Sequence, residues 1–293
     1  MNKVYLGSHV SMSSPDFYLG SVKSALEYGE NTFMFYTGAP QNSFRLPLER
    51  LKIEEGRALL KEHNIDESKI IVHAPYLINL GSKAKLETYD LAKKLVINEL
   101  QRTSAFGCTM LVLHPGNHLG VGVAEGLNNI VDGLNYIFEN DGTNVKIALE
   151  TMAGKGTELG TTFEDLNYII KNCKYSDRLG VCLDTCHIND AGYNVHDVDN
   201  VINMFDEIIG LDRLLCMHIN DSKNPVAAHK DRHDNLGYGT IGFKTLNAYV
   251  HHPKLESIPK CLETPYVGEK APYKKEVEML RNGEYEEDWR DRI

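Results

Sequence analysis

Eight short apolar runs recur along the chain at a nearly constant interval, and this recurrence restricts the available folds more than any other feature. The runs are KVYLGSH (3–9), TFMFYT (32–37), KIIVHAP (69–75), MLVLHPG (110–116), VKIALET (145–151), LGVCLDT (179–185), LLCMHIN (214–220) and IPKCLET (258–264). Each has the length of a buried strand. Between them lie amphipathic stretches such as SPDFYLGSVKSALEYG, LETYDLAKKLVINELQRTSAFG, TTFEDLNYIIKNC and HDVDNVINMFDEIIG. Several open near Ser, Thr or Asp and close near Gly or Asn, as capped helices do. Run ends fall about 30–45 residues apart, the size of a strand–helix unit. Eight units in 293 residues, undivided by a Pro/Gly/Ser-rich linker, predict an α/β fold. The expected form is a (β/α)8 TIM barrel in one domain over 1–293. An open doubly wound sheet is the alternative. The acidic C-terminal tail, 283–293, reads as a solvated terminus.

Composition narrows the function. The chain is 42% hydrophobic and 25% charged, and no apolar run reaches the ~18 residues of a membrane span. The opening MNKVYLGSHV lacks the apolar core of a signal peptide, so a cytoplasmic protein with no membrane partner is expected. Cys108, Cys173, Cys182, Cys186, Cys216 and Cys261 form no CxxC pair and no dense framework, and read as buried thiols. A net charge of −10 argues against a broad nucleic-acid coat. It leaves room for a local positive site whose charge comes from bound metal ions.

Six consecutive runs end in a possible metal ligand: His73, His114, Glu150, Asp184, His218 and Glu263. In a parallel barrel these strand ends share one rim, where barrel active sites lie. The residues two positions earlier are Ile71, Val112, Ala148, Cys182, Cys216 and Cys261, all small or apolar, as the barrel interior requires. A lone histidine at a strand end is usually a hydrogen-bonded structural residue, and a lone Asp184 could simply cap a helix. Six in a row are harder to explain that way. Such a group would be costly to desolvate, and its carboxylates would repel one another. Divalent cations remove both difficulties.

Loops add donors. His187 follows Asp184 by one helical turn and can reach back over the rim. Asp231 and His233, in HKDRHDNLGYG (229–239), share one side of an extended segment. His229 and Asp234 are lesser alternatives there. Five histidines and four carboxylates suit Zn²⁺, or less selectively Mn²⁺ or Fe²⁺. They are too many for one ion and fit two or three. Three divalent ions against four carboxylates leave a site of about +2, suited to a phosphodiester.

The motifs together resemble endonuclease IV, the zinc-dependent apurinic/apyrimidinic endonuclease family. The matching pieces run in order over almost the whole chain: GSHVS (7–11), HAPYLINLG (73–81), LHPGNH (113–118), ALET and AGKGTELG (148–160), GVCLDTCH (180–187), AGY (191–193), MHINDSK (217–223), DRHDNLGYGTIG (231–242) and LET (262–264). The resemblance implies three Zn²⁺ ions per chain. His73, His114 and Glu150 would hold one. Glu150 would bridge to a second, completed by Asp184, His218 and Glu263. His187, Asp231 and His233 would hold the third. It also implies a partner, double-stranded DNA carrying abasic sites or blocked 3′ ends. Such DNA would be cut 5′ of the abasic site by a zinc-bridging hydroxide that the catalytic residue Glu150 positions. Family members use the loops after strands 2 and 3 to enter the lesion. Tyr76 matches the family's tyrosine, and Gln41, Asn42 and Arg45 are candidates to fill the gap, Gln41 standing where some relatives have Arg. His9 and His118 are candidates to orient ligands. A monomer is expected. Competing readings are a metal-dependent sugar isomerase or epimerase on a similar barrel, and a nonenzymatic metal- or DNA-binding module.

Overall fold

The computed structural model of the chain describes residues 4–293. Lys3, which opens the first apolar run, lies outside the described residues. The runs form parallel strands β1 (Leu6–Ser8), β2 (Met34–Tyr36), β3 (Ile71–His73), β4 (Met110–Leu113), β5 (Lys146–Glu150), β6 (Leu179–Asp184), β7 (Leu214–His218) and β8 (Lys260–Leu262). Each pairs with its sequence neighbour from β2 to β8, and β8 pairs with β1. Between them lie α1 (Phe17–Glu27), α2 (Ile53–Glu62), α3 (Leu86–Ala105), α4 (Val123–Asn140), α5 (Phe163–Asn172), α6 (Thr185–Ala191), α7 (Val198–Ile208) and α8 (Phe243–His251). Helix α9 (Tyr273–Asn282) closes the circuit. Among the described residues no helix is long and apolar enough to cross a membrane.

Two apolar layers follow from the period-2 alternation of the strands. Met34, Ile71, Met110, Val112, Ala148, Cys182, Cys216 and Cys261 form a separate cluster inside the barrel. It contains all six residues expected one step below the rim. Leu111, Leu113, Ile147, Leu149, Val181 and Leu183 face outward into the larger core shared with the helices. All six cysteines are buried and free.

The ring closes through a thin seam, which excludes the open-sheet alternative. His9 bridges Met34 in parallel, and Val10 N donates to Met34 O at 2.9 Å. Below that point Asn31 replaces missing ladder bonds. Its Oδ1 accepts from Leu6 N at 2.8 Å and its Nδ2 donates to Val4 O at 2.9 Å. Gly7 permits this approach, because a Cβ there would land on the carbonyl oxygen of Thr32.

The C-terminal tail is exposed along most of its length, as expected of a solvated terminus, but is anchored at one point. Trp289 is fully buried, and its Nε1 donates to Leu236 O at 3.2 Å. The Arg290 guanidinium lies 3.7 Å from the ring centre of Tyr238 and forms an ion pair with Asp234. The acidic composition hid one tryptophan whose binding surface belongs to a loop some fifty residues earlier.

Beside the seam lies a buried carboxyl, Glu30. Its Oε1 accepts from Ser8 Oγ at 2.5 Å, and its Oε2 has no hydrogen-bond partner among the described residues. Burial pushes its pKa from 4.5 to about 8, with the Ser8 hydrogen bonds opposing in part. Because the folded value is the higher one, its stabilising contribution is complete below about pH 4.5 and is lost as pH rises through about 8. Glu30→Gln should remove this decline. Urea-unfolding midpoints at pH 5 and pH 8 check it: the difference between them should be smaller in the variant than in the parent.

Candidate metal centre

Every barrel strand places a polar ring or carboxyl at or just past its C-terminal end. These are His9, Tyr36, His73, His114, Glu150, Asp184, His218 and Glu263. Glu150 lies at the centre. Its Oε2 faces His73 Nε2 at 3.2 Å and His114 Nε2 at 3.0 Å. Its Oε1 faces His218 Nδ1 at 3.0 Å and His187 Nδ1 at 3.4 Å. Glu263 Oε2 approaches His218 Nδ1 at 3.0 Å from the other side. Asp184 serves both purposes that its position in the sequence allows. Its Oδ1 caps α6 by accepting from His187 N at 2.9 Å, while Oδ2 turns toward His218 Nδ1 at 3.7 Å and His233 Nε2 at 3.8 Å.

The nine side chains nominated as ligands therefore meet in one place. Their donor atoms fall into three groups: His73, His114 and Glu150; Glu150, Asp184, His218 and Glu263; His187, Asp231 and His233. Within each group the donor atoms lie within 4.8 Å of one another. Donors bound ~2.0–2.1 Å from a tetrahedral zinc sit about 3.3–3.4 Å apart, close to the spacings here.

Hydrogen bonding shows that the site fits cations. A backbone carbonyl can only accept, so the ring nitrogen facing one must carry the proton. His73 Nδ1 faces Ala74 O at 2.7 Å, and His187 Nδ1 faces Thr151 O at 2.8 Å. His233 Nδ1 faces Glu263 O at 3.2 Å. In the neutral imidazoles the opposite nitrogens then present lone pairs, aimed at carboxylate oxygens that also present lone pairs. His233 Nε2 is the clearest case: buried, without a hydrogen-bond partner, 3.6 Å from Asp231 Oδ1 and 3.8 Å from Asp184 Oδ2. Only positive charge between them reconciles such atoms, whether an added proton or a metal ion.

The protonation equilibria express the same demand. Burial opposes the imidazolium forms of His114, His187 and His218, yet their pKa values lie above the ordinary range. Glu150 leads the carboxylates that together overcome burial at His114, and Asp184 leads those acting on His187. Burial likewise opposes ionised Glu150, Asp231 and Glu263, and the facing imidazoles hold all three below the usual carboxylate range. Cys182 and Cys186 approach two of the donor groups. Burial raises both thiols, keeping them protonated, as packing residues are.

Buried polar groups to which the sequence reading gave no role hold this arrangement. Asn220 donates from Nδ2 to Asp184 Oδ2 at 2.7 Å and to Glu263 Oε2 at 3.3 Å, and its Oδ1 accepts from Glu263 N at 2.8 Å. The loop bearing Asp231 and His233 is fastened by three carboxylates. Asp190 accepts from Lys230 N and Asp231 N, Asp221 from Gly237 N, Gly239 N and Ile241 N, and Glu276 from Leu236 N. The position of Asn220 and Asp221 two and three residues after His218 was the available signal.

The comparisons agree with this architecture. A family model described as a xylose isomerase-like TIM barrel matches residues 22–283. A protein of Oceanobacillus iheyensis described as a probable endonuclease 4 is 51% identical, covering 99% of this chain and 99% of its own. The chain belongs to the endonuclease IV family. The crystal structure of endonuclease IV from Thermus thermophilus superposes with a TM-score of 0.83 at 26% identity, covering 95% of this chain and 98% of that one. A 3-keto-D-glucoside 4-epimerase from E. coli also matches, with a TM-score of 0.67 and 17% identity over 96% of this chain and all of that one. At that identity the likeness is one of fold alone.

Around the endonuclease IV-type mouth the remaining nominated residues divide. Tyr76 is 56% exposed, on the wall of a cavity of about 350 Å³ that it shares with His114, Asn117 and Asp231. Gln41 and Asn42 are exposed on the loop after β2. Arg45 is placed differently. Its Nε pairs with buried Glu99 at 2.5 Å and its Nη1 donates to the carbonyls of Ala39, Asn42 and Phe44, so it holds the loop rather than projecting from it. His118 also serves its loop, its Nδ1 accepting from Gly120 N and Gly122 N. His9 packs edge-on against Tyr36, 5.1 Å between ring centres, near Glu263 and His73. His229 Nδ1 faces Ala153 O at 3.0 Å, and Asp234 is taken by Arg290. Replacing Asn220 by Ala removes the brace on two carboxylates and should lower metal affinity by about 10–100-fold. Competition against a chromogenic chelator measures this, and an unchanged affinity would assign Asn220 to the fold alone.

Proposed function

We propose that the chain is a zinc-dependent DNA repair endonuclease. It hydrolyses the phosphodiester 5′ of abasic sites in duplex DNA, leaving a 3′-hydroxyl and a 5′-deoxyribose phosphate, and trims blocked 3′ ends. The observation that carries this reading is the placement of Glu150 between four imidazoles, with Asp184, Glu263 and Asp231 completing three adjoining donor groups. Membership of the endonuclease IV family supports it. His73, His114 and Glu150 would hold one zinc, Glu150, Asp184, His218 and Glu263 a second, and His187, Asp231 and His233 a third. When bound, such ions acidify water and offset negative charge on a phosphoryl group.

The chain's own residues supply position and polarity. Glu150 is held as a carboxylate and divides its two oxygens between two pairs of imidazoles, which places it to orient the attacking water. Asp184 and His218 are fully buried, whereas His114, Asp231, His233 and Glu263 are partly exposed. Substrate therefore approaches across that open side. Tyr76, rising beside His114, meets the DNA at the lesion. Gln41 and Asn42 enter from the neighbouring loop.

The deciding experiment is incision of a duplex with one abasic analogue, with and without a strong chelator, alongside elemental analysis. Incision without added Mg²⁺, its loss on chelation, and about three zinc ions per chain are expected. Glu150→Gln should remain folded and lose at least a hundredfold in rate; near-parental incision would take Glu150 out of the mechanism. Tyr76→Ala should weaken binding of the abasic duplex several-fold and leave zinc content intact, since the side chain is exposed and is not one of the donors. An equal dissociation constant for variant and parent would assign Tyr76 no part in lesion binding.

A further inference from the structure

The loop after β5 carries a cation that none of the roles above uses. Gly154 (φ +81°) and Gly156 (φ +64°) flank Lys155 and turn it out toward the mouth. Lys155 lines the same cavity as Tyr76, His114, Asn117, Glu158 and Asp231. Of the described residues lining it, Lys155 alone carries a permanent positive charge. In a chain of net charge −10, that position is informative.

Its partners show how the cation could be released. Asp231 divides its carboxylate: Oδ1 faces His187 Nε2 at 3.0 Å and His233 Nε2 at 3.6 Å, whereas Oδ2 faces Lys155 Nζ at 3.5 Å. Glu158 Oε1 is farther from Nζ, at 4.0 Å, and Glu158 Oε2 accepts from the Lys155 backbone N at 2.8 Å. The Lys155 side chain is 57% exposed, so its ion pairs are weak and exchange readily. A divalent cation on Oδ1 would draw off the charge that attracts Nζ to Oδ2.

We propose that Lys155 is a phosphate-binding residue, its ammonium leaving Asp231 to take a non-bridging oxygen of a DNA phosphodiester beside the one held at the metal centre. This rests on the nuclease reading above. Lysine suits the task as a mobile point charge with three donors. It extends the positive charge of the mouth along the path of the strand.

The test compares the zinc-loaded full chain with Lys155→Gln and Lys155→Arg. Dissociation constants for a duplex with one abasic analogue are measured from about 50 to 200 mM salt, with zinc content determined in parallel. Removing one phosphate contact should lower the slope of log K against log salt by about 0.9 in Lys155→Gln. Affinity at the low-salt end should weaken roughly three- to tenfold, with zinc content unchanged. Lys155→Arg should retain the parental slope. A parental slope in Lys155→Gln overturns the proposal. If zinc is lost as well, Lys155 serves only to hold Asp231. Parental protein that neither binds nor incises the duplex overturns the nuclease reading itself, so the two failures are distinguishable.

Discussion

Lone pairs facing lone pairs among largely buried side chains at the barrel mouth are the constraint on which the site depends. Carbonyl partners fix the protons of His73, His187 and His233 on Nδ1, and the Nε2 atoms then look at carboxylate oxygens. Without positive charge the group would repel itself in a setting where repulsion is poorly screened. Protons can supply that charge, and the imidazole equilibria shift upward and the carboxylate equilibria downward in the direction that favours it. Metal ions supply more of it, in a geometry that the donor spacings match.

Holding such a group together requires a scaffold that does not yield. The inward layer of Cys182, Cys216, Cys261 and their neighbours fills the barrel just below the donors. Loop donors need separate support, because Asp231 and His233 belong to no barrel strand. Asp190, Asp221 and Glu276 supply it through backbone N–H groups, and the C-terminal segment presses on the same loop through Trp289 and Arg290. The tail thus belongs to the architecture of the site.

The barrel alone does not identify the chemistry. Sugar epimerases share it at low identity, and a fold hosts many reactions. What sets this chain apart is which donors converge. The trio His187, Asp231 and His233 adds a third donor group beyond what a one- or two-ion sugar isomerase requires.

The barrel, its inward layer and the convergence of strand-end donors were all legible in the order of residues. They follow from periods of two and of one strand–helix unit, which act locally and repeat along the chain. The fate of side chains whose partners are remote and nonperiodic was not legible. Arg45 resembled a projecting lesion residue until buried Glu99, on α3, claimed its guanidinium. The solvated tail gave no sign of its anchor until the Leu236 carbonyl received Trp289 and the Tyr238 ring received Arg290. Asn220 was an unremarked neighbour of His218 until β6 and β8 brought Asp184 and Glu263 to either side of its amide. Three-dimensional packing settled these, because each turns on which surface a polar group meets after the chain has closed on itself.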